Sequence, residues 1–405
     1  MMKTLVNIFS EVNPASTYLF IKEMYEEGDE LLFIATNDTE DAMETLIQVL
    51  ALPADIIHRV VLNKERDAFI YEKICRQLRE KLRPDANYHL NLAGGTRYLA
   101  LAVRQAFEKY KPKCFYTNVE HNVIISTIYD DSIDDNDDYV FPIRYRMSVS
   151  EYFAIHRLSH DITSQNRHQA HFPCDLANRI FDSSALRRFT EDEYEVFDRL
   201  REGYRNAKSR QTHRTLHALR QRQRIAIDEI CAPKNPEWWP IPSLKNFLHR
   251  IGFVPKTPGF ISREELEYLT GGWFEEFIFY WVQTTVNPDD IATGVHISRN
   301  VARHDNELDV VFMRGNKLFV MECKSGISTT SLFNEIVYKA CALKRALLGL
   351  SCKFYLCSLK KDENNELKKI AESMDVTFCD HAILSNPHKR SRITTAIRRM
   401  TQSKL

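Results

Sequence analysis

Short apolar segments alternate with longer amphipathic segments along the first third of the chain. Residues with β-branched and aromatic side chains concentrate in the short segments, which is typical of β-strands. In the longer segments apolar residues recur at helical spacing, which predicts α-helices. Regular alternation of strands and helices predicts a mainly parallel, doubly wound sheet. The predicted strands are 4–9, 31–35, 59–62, 88–92, 114–119 and 123–128, and the predicted helices are about 14–27, 39–51, 66–83 and 97–110.

Polar loops follow three of these strands, at 10–14, 36–38 and 91–97. Ligands of doubly wound sheets bind where strands end and helices begin. In the third loop, Gly94 and Gly95 let the backbone approach a ligand closely, and the following helix N-terminus favours phosphate. An ordinary strand-to-helix turn has the same pattern. The loop matches neither the dinucleotide-binding nor the P-loop motif, so we expect neither NAD binding nor ATP hydrolysis.

A β-hairpin is predicted in the C-terminal third of the chain. Gly315-Asn316 separates two apolar runs, which is the signal of a two-residue hairpin loop. With these two residues as the loop, Asp309 faces Glu322 across the ladder, and residue 307 faces residue 324. Two carboxylates about 5 Å apart repel each other unless a cation lies between them.

This hairpin carries the charged residues of a candidate metal site. Alternation along a strand places Glu322 and Lys324 on one face and Cys323 on the other. Oxygen ligands suit Mg²⁺ or Mn²⁺ better than zinc, and a lysine beside the ion could activate a water for phosphodiester hydrolysis. Glu-x-Lys on a strand is also found on solvated faces. The apolar residues around it favour the metal site, because charges at the ends of buried strands need partners.

The middle and the end of the chain are more polar. Helical segments are predicted near 151–160, 173–188 and 191–224, followed by a proline-rich linker over 231–258. The last of these helices and the tail from residue 388 are basic. The helix either has a solvated face or lines a nucleic-acid path, and the tail is either frayed or faces nucleic acid. The acidic run at 130–138 lacks the glycine and the final glutamate of an EF-hand, so we interpret it as a solvated turn.

Two further helices and two strands are predicted in the C-terminal part. The helix over 271–282 has an apolar face with Glu275 beside it, whereas Glu276 is expected on the surface. The helix over 329–350 places Asn334 one turn before Tyr338. The strands are predicted at 353–357 and 376–379.

Composition limits the class of protein. At 405 residues the chain is long enough for two or three domains, and a net charge of zero leaves any attraction to nucleic acid to local patches. No apolar run is long enough to span a membrane, and the N-terminus lacks the charged region and apolar stretch that predict a signal peptide. Nine scattered cysteines without zinc spacing predict a reduced, cytoplasmic protein with no membrane partner and no zinc.

The hairpin, the upstream Gly-Gly-Trp-Phe-Glu helix and the helix with Tyr338 resemble the PD-(D/E)xK restriction-endonuclease-like fold. The N-terminal part, with its Asn-Leu-Ala-Gly-Gly-Thr-Arg loop, is similar to CARF domains, the Rossmann-like sensors of CRISPR systems. Together they resemble the CARF–nuclease effectors of type III CRISPR immunity. This resemblance implies an α/β fold with a CARF domain at 1–145, a helical and basic connecting region at 146–240, and a nuclease domain at 241–405.

The resemblance also implies roles for particular residues. Metal ligands would be Asp309, Glu322 and the backbone carbonyl of Cys323, with Glu275 as an outer ligand. Lys324 would activate water or neutralise phosphate, and Tyr338 would take the tyrosine position of the Q-x-x-x-Y motif, although Asn334 replaces the glutamine. Residues implied to contact the activator are Ser10, Glu11, Asn13, Thr36, Asn37, Asn91, Gly94, Gly95, Thr96 and Arg97.

By the same resemblance, the activator is a cyclic oligoadenylate, most often cyclic tetra-adenylate, bound across the two-fold axis of a homodimer. The expected activity is weakly specific, Mn²⁺- or Mg²⁺-dependent cleavage of single-stranded RNA, single-stranded DNA or both, and nicking of duplex DNA stays open. Two alternatives remain. One is an ungated restriction- or repair-type DNA endonuclease. The other is a nucleotide-responsive regulator with an inactive nuclease fold.

Overall fold

The structure is a computed structural model that describes most of the two terminal parts of the chain. The basic segment at 191–223, the acidic run at 130–138 and Trp238 and Trp239 lie outside the described residues. The described residues are 2–63, 70–126, 139–162, 172–181, 224–226, 248–249, 251–298, 306–325, 330–346, 352–359, 362 and 364–402.

A seven-stranded sheet forms the N-terminal domain. Its order is β3-β2-β1-β4-β5-β6-β7, in which the first five strands are parallel and the last two are antiparallel to their neighbours. The strands are β1 Lys3–Ile8, β2 Glu30–Thr36, β3 Ile57–Leu62, β4 Asn87–Asn91, β5 Lys113–Asn118, β6 Val123–Ser126 and β7 Val140–Pro142.

Four helices connect these strands and pack on both faces of the sheet. Apolar residues of β1 accordingly alternate between two hydrophobic clusters, with Leu5 in one and Val6 and Ile8 in the other. Burial on both faces explains why these strands are almost continuously apolar. The predicted strands, helices and doubly wound sheet are confirmed. The helices are α1 Pro14–Met24, α2 Glu40–Leu50, α3 Tyr71–Arg79 and α4 Arg97–Phe107.

A mixed six-stranded sheet forms the C-terminal domain, in the order β15-β14-β13-β12-β11-β8. β12 and β13 form the predicted hairpin, with Val310 opposite Met321 and Arg314 opposite Lys317, which confirms the Gly315-Asn316 loop. A separate two-stranded ribbon pairs β9 with β10. The strands are β8 Ser159–Ile162, β9 Arg224–Ala226, β10 Phe260–Ser262, β11 Asp290–Ser298, β12 Asn306–Arg314, β13 Lys317–Lys324, β14 Cys352–Ser358 and β15 Val376–Cys379.

Eight further α-helices accompany the second sheet in the described residues. Between α7 and α8 the helix widens into a π-helical turn, Tyr268–Gly272, so the two run on as one rod. The predicted helix over 271–282 is confirmed as part of α8. The helices are α5 Val149–Ile155, α6 Phe172–Phe181, α7 Arg263–Glu267, α8 Trp273–Thr285, α9 Thr330–Ala346, α10 Glu366–Ser373, α11 His381–Leu384 and α12 Pro387–Thr401.

Several details differ from the sequence prediction. Arg224, predicted as the last residue of a helix, lies in strand β9. The helix predicted over 151–160 ends at Ile155, and β8 follows because its backbone pairs with β11. β11 itself was not predicted, since Gly294 interrupts its apolar alternation. The tail is not frayed: it forms α12, whose Thr394, Ile397 and Thr401 are buried.

One hydrophobic cluster continues from the first domain into the second. It contains Phe115 and Tyr18 from the N-terminal domain, Tyr152 of α5, and Val311 and Val320 of the hairpin. The domains therefore share a core, and β8 brings part of the connecting region into the second sheet. The predicted boundaries at 145 and 240 stay predictions. Among the described residues, no helix combines the length and the hydropathy that crossing a bilayer requires.

Truncation of the hairpin core tests this packing. Phe319 stacks on Phe312 with ring centroids 4.9 Å apart, and both side chains are fully buried. We expect Phe319→Ala to lower the free energy of unfolding by about 3–5 kcal/mol, measured by chemical denaturation, because the cavity cannot fully collapse. The control is Phe141→Ala, whose side chain is 42% exposed. Equal effects of the two substitutions would contradict the hairpin's place in the core.

Candidate functional site

The candidate active site lies at the end of the hairpin that is remote from its loop. Asp309 is the fourth residue of β12, and Glu322 and Lys324 lie at the end of β13. Both carboxylates are buried, because the strands that carry them are covered on both faces. Val320 and Cys323 belong to the hydrophobic clusters on opposite faces of the sheet. This confirms the predicted alternation of side chains along β13.

The Lys324 ammonium contacts three oxygen atoms at this point. Its Nζ is 2.7 Å from Glu322 Oε1, 3.2 Å from Asp309 Oδ2 and 3.2 Å from the Cys323 carbonyl oxygen. Asp309 Oδ2 also accepts a hydrogen bond of 2.6 Å from the Cys323 backbone N–H. These are the oxygens expected to bind a metal, and here a protein cation lies among them.

Burial and nearby charges shift the pKa values of three groups at this point. Burial raises the pKa of Glu322 most, and the charge of Asp309 raises it further. The charge of Lys324 partly offsets this increase. Burial alone would lower the pKa of Lys324, but the charges of Asp309 and Glu322 raise it above its ordinary value. Burial also raises the pKa of the Cys323 thiol, so the sulfur remains neutral. Only the backbone carbonyl of Cys323 is therefore suited to bind a hard cation.

Glu275 reaches the same acidic cluster from α8. Burial, and then the charge of Asp309, raises the pKa of its carboxyl to about 8. Glu307 and Glu322 contribute in the same direction, whereas Lys324 opposes them. α8 thus adds a third carboxyl to the field of the two on the hairpin. A divalent cation would relieve this repulsion.

The residues fit a divalent ion. Glu322 Oε2 is buried and has no hydrogen-bond partner within the described residues, as expected for an oxygen awaiting a cation. Asp309, Glu322 and the Cys323 carbonyl would hold the ion, with Glu275 outside them. In the part of the chain that the structure describes, no three His, Cys, Asp or Glu side chains are arranged as a complete metal site. The backbone carbonyl is therefore needed in the ligand set.

Two helices beside the site carry further candidate residues. Tyr338, expected to take part in catalysis, is 60% exposed on α9. One turn earlier, the Asn334 Oδ1 is buried without a hydrogen-bond partner in the described residues. The expectation for Glu276 was wrong: it is 6% exposed and accepts a 2.5 Å hydrogen bond from the Tyr268 hydroxyl. Tyr268 lies eight residues earlier on the same helical face.

The three predicted ligand loops lie side by side at one edge of the N-terminal sheet. β1 lies between β2 and β4, and all three are parallel, so the loops after them emerge together. α1 and α4 follow β1 and β4 on a strand order that reverses at this point, which is where such sheets bind ligands. Glu11, Asn37, Gly95, Thr96 and Arg97 are exposed there, and Ser10, Asn13 and Thr36 are half-buried.

The third loop packs tightly on the end of β1. A Cβ at Gly94 would lie 1.7 Å from the Ile8 carbonyl oxygen, so no side chain fits there. Gly95 has φ +65°, which favours glycine. The Thr96 hydroxyl accepts a hydrogen bond of 3.1 Å from the Leu99 N–H and caps α4. The N-terminus of α4 therefore faces the edge where the loops meet.

Two family models match the chain. The one described as the Card1 CARF domain matches residues 4–152, and the one described as the Card1-like endonuclease domain matches residues 262–380. The chain joins a CARF domain to a Card1-like endonuclease domain. By its domain content it is an endonuclease. No curated protein matches it in a sequence comparison.

Three solved structures are similar to the whole architecture. Protein VC1899 from Vibrio cholerae has a TM-score of 0.72 at 16% identity and covers 100% of both chains. Can2 from Sulfobacillus thermosulfidooxidans, in complex with cyclic tetra-adenylate, has a TM-score of 0.67 at 16% identity and covers 99% of each chain. A type III CRISPR defence DNA nuclease activated by cyclic oligoadenylate has a TM-score of 0.51 at 14% identity, covering 93% of this chain and 50% of that one. At these low identities, the TM-scores establish a shared fold.

One CARF residue has a different place from the one expected. Asn91 is 1% exposed, and its side chain contacts Asn7 Oδ1 and the Ser16 carbonyl at 3.3 Å and the Thr117 hydroxyl at 3.1 Å. It therefore holds the loop to α1 from below instead of facing the ligand edge. Sequence reasoning missed its buried partner Asn7, although an amide within the apolar β1 was an available signal.

Glu275→Gln in the endonuclease domain is expected to change how stability depends on pH. The folded pKa of about 8 exceeds the ordinary value of 4.5, so the folded state binds more protons between these values. The free energy of unfolding of the unsubstituted protein should therefore fall as pH rises across this interval, and level off above it.

Denaturation of both proteins across that interval measures this effect. The difference should grow with pH in favour of Glu275→Gln. A matched control is Glu335→Gln, at an exposed carboxyl on α9. A difference that stays constant with pH would contradict the assignment.

Proposed function

We propose that this protein is a metal-dependent nuclease that cyclic tetra-adenylate activates, and that it cleaves single-stranded RNA, single-stranded DNA or both with weak sequence specificity. One observation carries the catalytic half of the proposal. Asp309, Glu322 and the Cys323 carbonyl converge on a single cationic atom, Lys324 Nζ, at 2.7–3.2 Å. Oxygen atoms converging in this way on a positive charge suit Mg²⁺ or Mn²⁺.

The chain's own residues divide the chemistry among them. Bound between the hairpin carboxylates, Mg²⁺ or Mn²⁺ would supply Lewis acidity and an activated water. Asp309 and Glu322 would hold the cation. Lys324 would then hold a water or neutralise a phosphate. Tyr338, exposed on α9, would contact the nucleic acid strand.

The sensing half of the proposal rests on the edge of the CARF sheet. The α4 N-terminus, the backbone at Gly94 and Gly95, and Arg97 meet there, and together they suit a phosphate. Can2, which has the same fold, was solved with cyclic tetra-adenylate. A ring with two-fold symmetry would lie between two copies of this edge, so the protein is proposed to act as a homodimer. We place it in CRISPR-linked antiviral defence on the same grounds.

Cleavage of labelled single strands tests the whole proposal. RNA and DNA strands, and a supercoiled plasmid, are incubated with and without cyclic tetra-adenylate, in Mg²⁺, Mn²⁺ or EDTA. Cleavage should require both the metal and the activator. Plasmid cutting that ignores the activator would instead identify an ungated DNA endonuclease, and activator binding without cleavage of any substrate would identify a regulator with an inactive nuclease fold.

Glu322→Gln tests the metal site. It preserves the shape of the side chain but removes the charge and one of the converging carboxylate oxygens, so cleavage should fall by at least about 100-fold. The affinity for cyclic tetra-adenylate, measured by calorimetry, should stay within about twofold, because the substitution is remote from the CARF edge. Glu335→Gln, at an exposed carboxyl, is the control and should retain full activity. Full activity of Glu322→Gln would place the active site elsewhere.

Gly94→Ala tests the ligand edge. The added Cβ would clash with the Ile8 carbonyl at 1.7 Å and push the loop off β1. We expect the affinity for cyclic tetra-adenylate to fall by at least about 10-fold, since the backbone donors of this loop lose their positions. Gly271→Ala is the control, because a Cβ there meets no atom within 4 Å. Wild-type affinity in Gly94→Ala would exclude this loop from the binding site.

A further inference from the structure

The loop of the catalytic hairpin is buried, which is unusual for a two-residue turn. Asn316 is 0% exposed and has φ +58°, a conformation that asparagine tolerates. Loops normally lie on the surface. This loop instead lies against the CARF domain, at the opposite end of the strands from Asp309 and Glu322.

The side-chain amide of Asn316 is hydrogen bonded to the CARF domain through both its nitrogen and its oxygen. Its Nδ2 donates to Asn122 Oδ1 at 2.7 Å and to the Tyr145 carbonyl at 2.9 Å. Its Oδ1 accepts from the Met147 N–H at 2.9 Å. Asn122 lies in the turn between β5 and β6, and residues 145–147 precede α5. Both amide protons and the carbonyl are therefore paired with the sensor domain.

A second set of bonds fixes the same loop from the side of the endonuclease domain. The Gly315 N–H donates to Asp289 Oδ2 at 2.6 Å, and the adjacent Asp290 accepts from the Val149 N–H of α5 at 2.8 Å. The strand β11 that begins at Asp290 pairs with β12. The loop, α5 and the start of β11 thus form one hydrogen-bonded joint between the two domains.

This joint is tied to the ligand edge through α1. Tyr18 of α1 donates to Glu151 Oε1 of α5 at 2.6 Å, and Tyr145 also donates to this carboxylate. The Tyr145 N–H in turn donates to the Glu23 carboxylate of α1. α1 begins at Pro14, directly after the first ligand loop. A shift of α1 on ligand binding would therefore move residues 145–151.

The hairpin can carry such a shift to the active site. Glu322 is six residues from Asn316 along β13, a distance of roughly 20 Å for an extended strand. β12 and β13 pair with each other and with β11 and β14, and their residues are buried on both faces. Packed cores shift between discrete arrangements and do not deform continuously. The strands should therefore move as one body.

We propose that Asn316 is the positioning residue through which activator binding on the CARF domain sets the catalytic carboxylates. This inference rests on the proposed function and adds its route of regulation. An activator couples to a distant site only if the two states differ in contacts that both sites share. The hydrogen bonds of Asn316 are such contacts, because they join the CARF domain directly to the strand that carries Glu322.

Two substitutions of Asn316 remove these contacts in different ways. Asn316→Gly keeps the positive φ but deletes the amide. Asn316→Asp keeps the shape but turns the donor into an oxygen that faces Asn122 Oδ1 and the Tyr145 carbonyl. Asn365→Gly is the matched control, at an exposed asparagine with φ +55° and no side-chain capping bond.

The measurement is the activation ratio, the cleavage rate with saturating cyclic tetra-adenylate divided by the rate without it. Activator affinity is measured separately by calorimetry, and folding by circular dichroism. Both Asn316 variants should bind the activator within about threefold of wild type but lose at least about 10-fold in activation ratio. Asn365→Gly should keep the wild-type ratio.

An unchanged ratio in folded Asn316→Gly, even with a lower overall rate, would mean that the residue is merely structural and would overturn the inference. If neither Asn316 variant folds, Asn122→Gly removes the acceptor from the CARF side, keeps the positive φ of that turn, and is read by the same ratio. A wild-type protein that cyclic tetra-adenylate does not activate would refute the proposed function itself, and the inference with it.

Discussion

Buried negative charge at the end of the catalytic hairpin is the constraint on which the rest of the structure depends. Asp309 and Glu322 are carried on strands that are covered on both faces, so neither carboxylate can be fully hydrated. Lys324 compensates for this charge by placing its ammonium against both of them and against a backbone carbonyl. The same need for a cation supports the proposed binding of a divalent ion at this point. The burial that makes these charges unfavourable for folding is therefore also what suits them to bind a cation.

The hairpin connects this site to the sensor because of what lies at its two ends. Its open end carries the carboxylates, and its loop is hydrogen bonded to the CARF domain through Asn316. A hydrophobic cluster shared between the domains covers one face of the strands, and a second cluster covers the other. An element packed in this way transmits displacement, whereas a solvated hairpin would absorb it by bending. The geometry thus gives a gated nuclease a direct mechanical route between its two sites.

On the CARF side, close packing again decides the function. The ligand edge exists because three parallel strands end together, and Gly94 allows the third loop to lie on the Ile8 carbonyl. Asn91 and Asn7 beneath the loop form a buried amide pair that holds it to α1. The residues proposed to face the ligand and those that hold them in place are thus separate sets. α1, the helix to which the loop is held, also contacts the interdomain joint.

The sequence by itself determined the features that local chemistry encodes. Apolar periodicity predicted the strands and helices of the first domain, and Gly315-Asn316 predicted the hairpin register and hence the meeting of Asp309 with Glu322. Tertiary structure decided whatever depends on distant partners. β8 is a strand only because β11 pairs with it, Glu276 is buried because Tyr268 supplies a hydroxyl, and Asn316 is buried because the CARF domain covers its turn. A pattern of neighbours along the chain specifies conformation, but it carries no record of which remote surface will be packed against it.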